Sequence, residues 1–273
     1  MAVNKYGLIG GKLGHSLSPA IHKLFFEYTG KSGGYELLET ELDALPQLMQ
    51  NLRQNYAGVN VTIPHKLHVM PLLNKIAPEA EAIGAVNTIN FTQAGAFGYN
   101  TDYFGFGRML VYNGIEVQNK SCAVLGSGGA ARAVVKYLSD QGAAKLYLVT
   151  RDTAKADPHF SKMAAKLKII DYAALAKLQG DLLVNCTPVG MFPKTEVAPV
   201  SAAVSAAFNA SVDLIYNPAQ TLFLRQAARA GRKTVNGLFM LVAQAVAAQE
   251  IWQREKYDSS LIVRIAQALE QKI

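Results

Sequence analysis

An α/β protein in two domains, each a mostly parallel sheet with helices on its faces, is what this sequence predicts, and three observations carry the expectation. Short apolar runs alternate with helical patterns from end to end, as helix-covered parallel sheet requires. The 273 residues are long for one average domain and sufficient for two. Half of the residues are hydrophobic and 17% are charged, enough apolar side chain for a sizeable core and too little charge for a disordered chain.

In the first domain, residues 6–9 form a short apolar strand. Ser18 and Pro19 stand in the favoured N-cap and N1 places of a helix over 20–28, whose Ile21, Leu24, Phe25 and Tyr28 share one face. Residues 35–38 read as a strand, 42–52 as a helix, and 57–63 as a strand that stops at Pro64. Residues 86–91 and 96–100 pair around Gly95.

The second domain opens with a helix over 103–112 and a turn at Asn113-Gly114. A strand at 122–125 runs into Gly126-Ser127-Gly128-Gly129, followed by a helix over 130–138 and a strand over 145–150. Residues 181–185 and 212–216 are buried strands of the parallel type, each bounded by Pro or Gly. Residues 237–249 and 259–272 are helical by periodicity, and the chain shows neither an internal repeat nor a low-complexity tract. The predicted boundaries are 1–102, 103–236 and 237–273.

Several function classes are excluded. Cys122 and Cys186 lie in apolar contexts and read as small core residues, a usage that fits a reducing, cytoplasmic setting. The five histidines lack metal-ligand spacing, so no metal site is expected, and His65 reads as a loop residue. The longest apolar candidate, 238–252, is broken by Gln244, Gln249 and Glu250 and falls short of the ~20 residues of a membrane span. The first residues lack the apolar run of a signal peptide. The net charge of +7 suits an anionic partner, and between Arg132 and Lys177 nine basic residues face four acidic ones. These alternate without an aromatic platform, which argues against nucleic acid and for a phosphorylated small ligand.

The sharpest motif is Gly126-Ser127-Gly128-Gly129-Ala130-Ala131, set between a strand and a helix. Its glycines allow a tight turn and close approach of backbone to a pyrophosphate, whose charge meets the helix N-terminus. At the end of the next strand, Thr150-Arg151-Asp152 and Lys155 choose the dinucleotide. Arg151 with Lys155 favours NADP, whose extra phosphate suits arginine, while Asp152 opposes that phosphate and leaves NAD open.

A nicotinamide enzyme that reduces a ketone needs a proton donor for the oxygen. Lys66, at the end of Asn60-Val61-Thr62-Ile63-Pro64-His65-Lys66, is the candidate, with Asp102 to orient it, although a lysine taken alone is more often a solvated surface residue. Ser16 and Ser18, beside a helix N-terminus, suit a carboxylate. Asn87 and Thr88 either bond a substrate hydroxyl or close a turn, and residues 185–191 and 213–218 end buried strands, where ligands of open α/β sheets sit.

Over nearly its whole length the chain resembles the shikimate dehydrogenase family. The matching motifs are Ser16 to Pro19, Asn60 to Lys66, Ile83 to Thr88, Asn100 to Asp102, Gly126 to Ala131, Asn185 to Met191, Asp213 to Pro218 and Asn236 to Gln244. The resemblance implies reversible NADP-linked reduction of 3-dehydroshikimate to shikimate in aromatic amino-acid biosynthesis, in a cytoplasmic enzyme. Its fold would be an N-terminal, mostly parallel substrate sheet and a C-terminal Rossmann-like domain with the cleft between them, the last helices packing back on the first domain. It also implies Lys66 as the proton-transfer residue with Asp102 as partner. Ser16 and Ser18 would hold the carboxylate, while Thr62, Asn87, Tyr216 and Gln244 would contact ring hydroxyls or frame the pocket. Gly126, Ser127, Gly128, Gly129 and Ala130 would hold pyrophosphate, with Thr150, Arg151, Asp152 and Lys155 at the adenosine end, Leu214 as a further cofactor contact and Gly237 near the nicotinamide. Asp152 departs from the family's usual Asn-Arg-Thr, which keeps open a quinate/shikimate dehydrogenase using NAD. A non-catalytic dinucleotide sensor and a homodimer also stay open.

Overall fold

The computed structural model describes residues 4–271. Residues 1–3, 272 and 273, where the first predicted domain begins and the last predicted helix ends, lie outside that span. The chain divides into two compact units: the first runs to Gly105 and resumes at Val242, and the second spans Phe106–Leu241.

The first unit is built on β1 (Asn4–Gly10), α1 (Ser18–Thr29), β2 (Gly33–Glu39), α2 (Leu45–Asn55), β3 (Gly58–Val61), β4 (Lys75–Ile76), α3 (Pro78–Ile83), β5 (Thr88–Thr92) and β6 (Gly95–Tyr99). Its sheet order is β2-β1-β3-β5-β6-β4. The pairs β1/β2, β1/β3 and β4/β6 are parallel, and the hairpin strand β5 runs antiparallel to both β3 and β6. Ile9, Val59, Val61 and Ile89 fill one core with Leu45, Met49 and Leu52 of α2. Each such fully buried aliphatic side chain contributes roughly 1.5–3 kcal/mol.

The second unit contains β7 (Ser121–Leu125), β8 (Lys145–Val149), β9 (Leu167–Ile170), β10 (Gly180–Asn185), β11 (Phe208–Asp213) and β12 (Lys233–Val235). Its sheet is wholly parallel, in the order β12-β11-β10-β7-β8-β9. Numbered within the unit this is 3-2-1-4-5-6 read from the other edge, the doubly wound dinucleotide-binding order, with its reversal between β7 and β10. The chain enters the unit through α4 (Thr101–Tyr112), crosses over by α5 (Gly129–Asp140), α6 (His159–Met163), α7 (Tyr172–Leu175), α8 (Ala202–Ala206) and α9 (Leu222–Arg229), and leaves it through α10 (Leu238–Gln253). After α10, α11 (Ser259–Glu270) packs on α1 in the first unit. There Trp252 stacks on Tyr6 and donates to the Ile89 carbonyl at 2.9 Å. Gly58 makes room for it, since a Cβ would overlap the indole.

Several expected boundaries shift for local reasons. Ser18 is not an N-cap: Leu17 takes that place, and the Ser18 N–H is accepted by Ser16 Oγ at 3.2 Å. The third strand ends at Val61 rather than 63, because residues 62–69 turn through the bonds of His65 N–H to Thr62 O and Val69 N–H to His65 O. α10 starts at Leu238, after Gly237, because Asn236 Oδ1 accepts the Leu238 N–H. β4, β9 and β12 are too short to give a period in the sequence. Among the described residues no helix is long and apolar enough to cross a membrane.

Candidate functional site

Lys66 follows β3 in the turn, with its backbone oxygen bound by the Val86 N–H at 2.9 Å. Asp102 sits in the first turn of α4, where the helix dipole favours a carboxylate. Their side chains meet: Lys66 Nζ donates to Asp102 Oδ2 at 2.7 Å, with side chains 20% and 16% exposed. Shielded to that degree, yet open to solvent, the ammonium is held in one place and still within reach of a ligand.

Beneath the pair lies a buried polar layer. Asn87 Oδ1 accepts from the Thr101 N–H at 2.7 Å, from Thr101 Oγ1 at 3.1 Å and from Thr88 Oγ1 at 3.0 Å. A backbone N–H can only donate, so the Asn87 amide is fixed with its oxygen inward and its NH2 as the outward group. Asn60 Nδ2 donates to Thr88 Oγ1 at 3.0 Å and to the Asn87 carbonyl at 3.3 Å, and Asn60 Oδ1 accepts from Tyr35 at 2.7 Å. Tyr35 stacks on His22 with ring centroids 3.9 Å apart. Burial raises the Tyr35 phenol above its ordinary pKa and drives His22 down to about 3, so both rings stay neutral around pH 7. Thr101 Oγ1 reaches Gln244 Oε1 at 3.5 Å.

Of the residues expected to touch substrate, Ser16, Ser18, Thr62, Lys66, Asn87, Asp102 and Gln244 belong to the first unit and Tyr216 to the second. The N-terminus of α1 has no side-chain cap. Pro19 has no N–H and Ser16 takes that of Ser18, which leaves the Ala20 N–H as an anion donor beside the two hydroxyls. The structure adds Tyr35, Asn60 and Thr101, which support the site without a role foreseen for them as contacts, while Thr88, read as either a hydroxyl contact or a turn residue, bonds Asn60, Asn87 and Thr101. The signal that marks Asn60 is an amide in the middle of a short, otherwise apolar strand, where asparagine is disfavoured.

In the second unit Gly126 follows β7 at φ +94°, a conformation that favours glycine, and a Cβ there would lie 2.8 Å from Thr187 Cγ2. Ideal Cβ atoms on Gly128 and Gly129 would meet nothing within 4 Å. No side chain caps α5, so its first-turn N–H groups point into that open space with the helix dipole behind them. An uncapped helix start, cleared of Cβ atoms and placed at the strand reversal, fits a pyrophosphate. Ser127 and Ala130 lie in the same turn. Gly237 donates its N–H to the Ile215 carbonyl at 3.0 Å and sits so close to Leu214 that a Cβ would overlap the Leu214 oxygen.

Thr150 and Arg151 follow β8, and Arg151 is exposed. The Asp152 carboxylate turns back on its own segment, accepting the Ala154 N–H at 3.1 Å and pairing with Lys155 Nζ at 3.3 Å. Its charge is thus partly offset before any ligand arrives. Other acids of the basic segment are engaged likewise: Asp157 pairs with Arg132, Asp140 with Lys136, and Asp171 caps α7. Among the described residues no cluster of His, Cys, Asp and Glu could hold a metal ion.

Residues 8–89 match the family described as the shikimate dehydrogenase substrate binding domain. A curated relative from Clostridium beijerinckii, named shikimate dehydrogenase (NADP(+)), is 43% identical over 257 residues, covering 94% of each chain. One of the same name from Clostridium perfringens is 45% identical over 257 residues, covering 93% of this chain and 94% of its own. Among solved structures, a chorismate mutase/shikimate 5-dehydrogenase fusion protein from Clostridium acetobutylicum gives a TM-score of 0.95 at 47% identity, over 100% of this chain and 99% of that one. Shikimate 5-dehydrogenase from Thermus thermophilus, in complex with NADP(H) and shikimate, gives 0.88 at 34% identity, over 97% and 99%.

Proposed function

This chain belongs to the shikimate dehydrogenase family, and we propose that Lys66 is the proton-transfer residue of its NADP-linked interconversion of 3-dehydroshikimate and shikimate. NADPH, when bound, supplies the hydride. The carrying observation is the 2.7 Å contact of Lys66 Nζ with Asp102 Oδ2. A positioned ammonium gives its proton to the ketone oxygen as negative charge develops there, and takes it back in the oxidative direction. Asp102 holds the ammonium in place and offsets its charge.

Around that centre the Asn87 NH2 donates to a ring oxygen, with Thr62 and Gln244 as the remaining contacts of the ring from the first unit. Ser16, Ser18 and the start of α1 receive the substrate carboxylate. Gly126, Ser127, Gly128, Gly129 and Ala130 would hold the pyrophosphate, Thr150, Arg151, Asp152 and Lys155 the adenosine end, and Leu214 and Gly237 the nicotinamide. Arg151 receives the 2′-phosphate, and the engagement of Asp152 with Ala154 and Lys155 supports NADP over NAD. The reading carries a cytoplasmic location with it, and a homodimer is the assembly to test by light scattering.

The deciding assay measures kcat/KM for four pairs, NADP or NAD with shikimate or quinate. NADP with shikimate is expected to be the best pair. Preference for NAD with quinate would instead favour the broader dehydrogenase to which Asp152 points. Tight NADP binding without turnover would leave only a dinucleotide sensor.

A further inference from the structure

One buried carboxylate in the second unit is held, among the described residues, by neutral hydrogen-bond donors. Asp213 ends β11 and is wholly buried. Asn185 Nδ2 and the Ile215 N–H donate to its Oδ1 at 3.0 and 3.1 Å, and Thr221 Oγ1 donates to its Oδ2 at 2.7 Å. A buried charge is costly unless hydrogen bonds compensate it, and replacing such a group by apolar side chains is often neutral or stabilising. Packing alone therefore gives no reason for a carboxylate at this position.

Its three donors come from three different segments. Asn185 ends β10 and in turn accepts from the Thr187 N–H at 3.0 Å and from Thr187 Oγ1 at 2.7 Å; that hydroxyl accepts the Val189 N–H at 3.2 Å. Thr187 is the side chain on which a Cβ at Gly126 would impinge, so this turn forms a wall of the glycine loop. Ile215 belongs to the loop after β11, on whose carbonyl Gly237 is hung. Thr221 caps α9. A single side chain thus ties together the turn after β10 and the loop after β11, both at the carboxyl end of the sheet beside the strand reversal.

We propose that Asp213 is a positioning residue for the dinucleotide: its carboxylate fixes the Thr187 turn and the Leu214–Ile215 loop in the shape that receives the cofactor. This rests on the dinucleotide reading above. Burial pushes the carboxyl up to about 6, against the pull of Thr221, Ile215 and Asn185. The Cys186 thiol lies in electrostatic contact with it; burial first and the Asp213 charge second raise that thiol, which stays neutral. Protonation at Oδ2 takes away the acceptor of the Thr221 hydroxyl, which must turn to accept instead, and weakens the acceptor that Asn185 and Ile215 share. The charged form of this bridge is present above the carboxyl's pKa and gives way to the neutral acid as pH falls through it; because burial raises that pKa, the proton favours the folded chain, and the effect is read in cofactor affinity and not as a loss of global stability.

The test is calorimetric titration of the full chain with NADP+ and, separately, with shikimate from pH 8 to 5, for the parent, Asp213→Asn and Thr221→Val. At pH 8, D213N is expected to weaken NADP+ binding about tenfold, the scale of one buried donor left unpaired, with shikimate affinity unchanged. The 2′-phosphate itself titrates near pH 6, so the informative quantity is the difference between the parent and D213N. That difference should shrink as pH falls through the carboxyl's pKa. T221V, which removes a bond to the charged form, should move the parent's midpoint to higher pH; it carries the test if D213N does not fold. Hydrogen exchange should show faster exchange at Ile215 and Thr187 in D213N while the β10/β11 ladder keeps its protection. NADP+ affinity equal to the parent's in both variants at every pH, or equal loss of shikimate and NADP+ binding, would overturn the positioning role. A parent that binds no NADP+ would overturn the dehydrogenase reading as well.

Discussion

The candidate site of the first unit is built from side chains that hold one another: Lys66 on Asp102, Asn87 on Thr101 and Thr88, Asn60 on Tyr35. The candidate site of the second is built from backbone left bare of side chains, at Gly126, Gly128 and the uncapped start of α5. A proton needs a titratable group at a fixed point, whereas a pyrophosphate needs a row of N–H donors with nothing in front of them. The first unit should therefore fail when a group is removed, and the second when one is added.

Removal of Lys66 should have the largest effect. Lys66→Ala is expected to lower kcat about 10²–10⁴-fold, roughly 3–5 kcal/mol of barrier, with shikimate affinity changed far less. Steady-state kinetics with a separate binding titration checks this. Gly237→Ala comes next, because its Cβ would overlap the Leu214 carbonyl oxygen. Relief of that overlap needs backbone movement, at a cost of about 1–3 kcal/mol, read as a lower Tm together with weaker NADP binding.

Asn87→Ala leaves the Thr101 N–H and the Thr88 and Thr101 hydroxyls without their shared acceptor. A loss of about 1–3 kcal/mol in stability is expected by denaturant unfolding, with a rise in KM for shikimate and little change in KM for NADP. The smallest effect belongs to Asp152→Asn. Its pair with Lys155 is exposed and contributes under about 1 kcal/mol, so the variant should fold like the parent and raise the NADP-to-NAD preference only a few-fold.

The same contrast sets what is legible in the sequence. The glycine loop can be read directly, because its six residues are contiguous and lie between a strand and a helix. Lys66 and Asp102 are 36 positions apart, and Lys66 alone reads as an ordinary surface residue; the need of a ketone reduction for a proton donor suggests the pair, and the family resemblance strengthens it. Thr88 is visible beside Asn87, but the bonds of the layer it shares with Tyr35, Asn60 and Thr101 stay hidden because they cross β2, β3, β5 and α4, and no periodicity encodes them. Asp213 is visible as a strand-end residue, but its partners Asn185 and Thr221 come together only through the parallel register of β10 with β11 and the start of α9. Ser18 reads as an N-cap on spacing alone, and the turn bonded by Ser16 moves the cap to Leu17.

The division of labour between the units is tested most directly by titrating Lys66→Ala and Gly128→Ala each with shikimate and with NADP+. Gly128 has an ordinary backbone conformation and open space around its Cβ position, so alanine there disturbs nothing in the protein itself. G128A is expected to keep the parent's Tm and shikimate affinity and to lose NADP+ affinity, while K66A keeps NADP+ affinity and loses turnover. G128A binding NADP+ as the parent does, or K66A retaining the parent's kcat, would contradict that division.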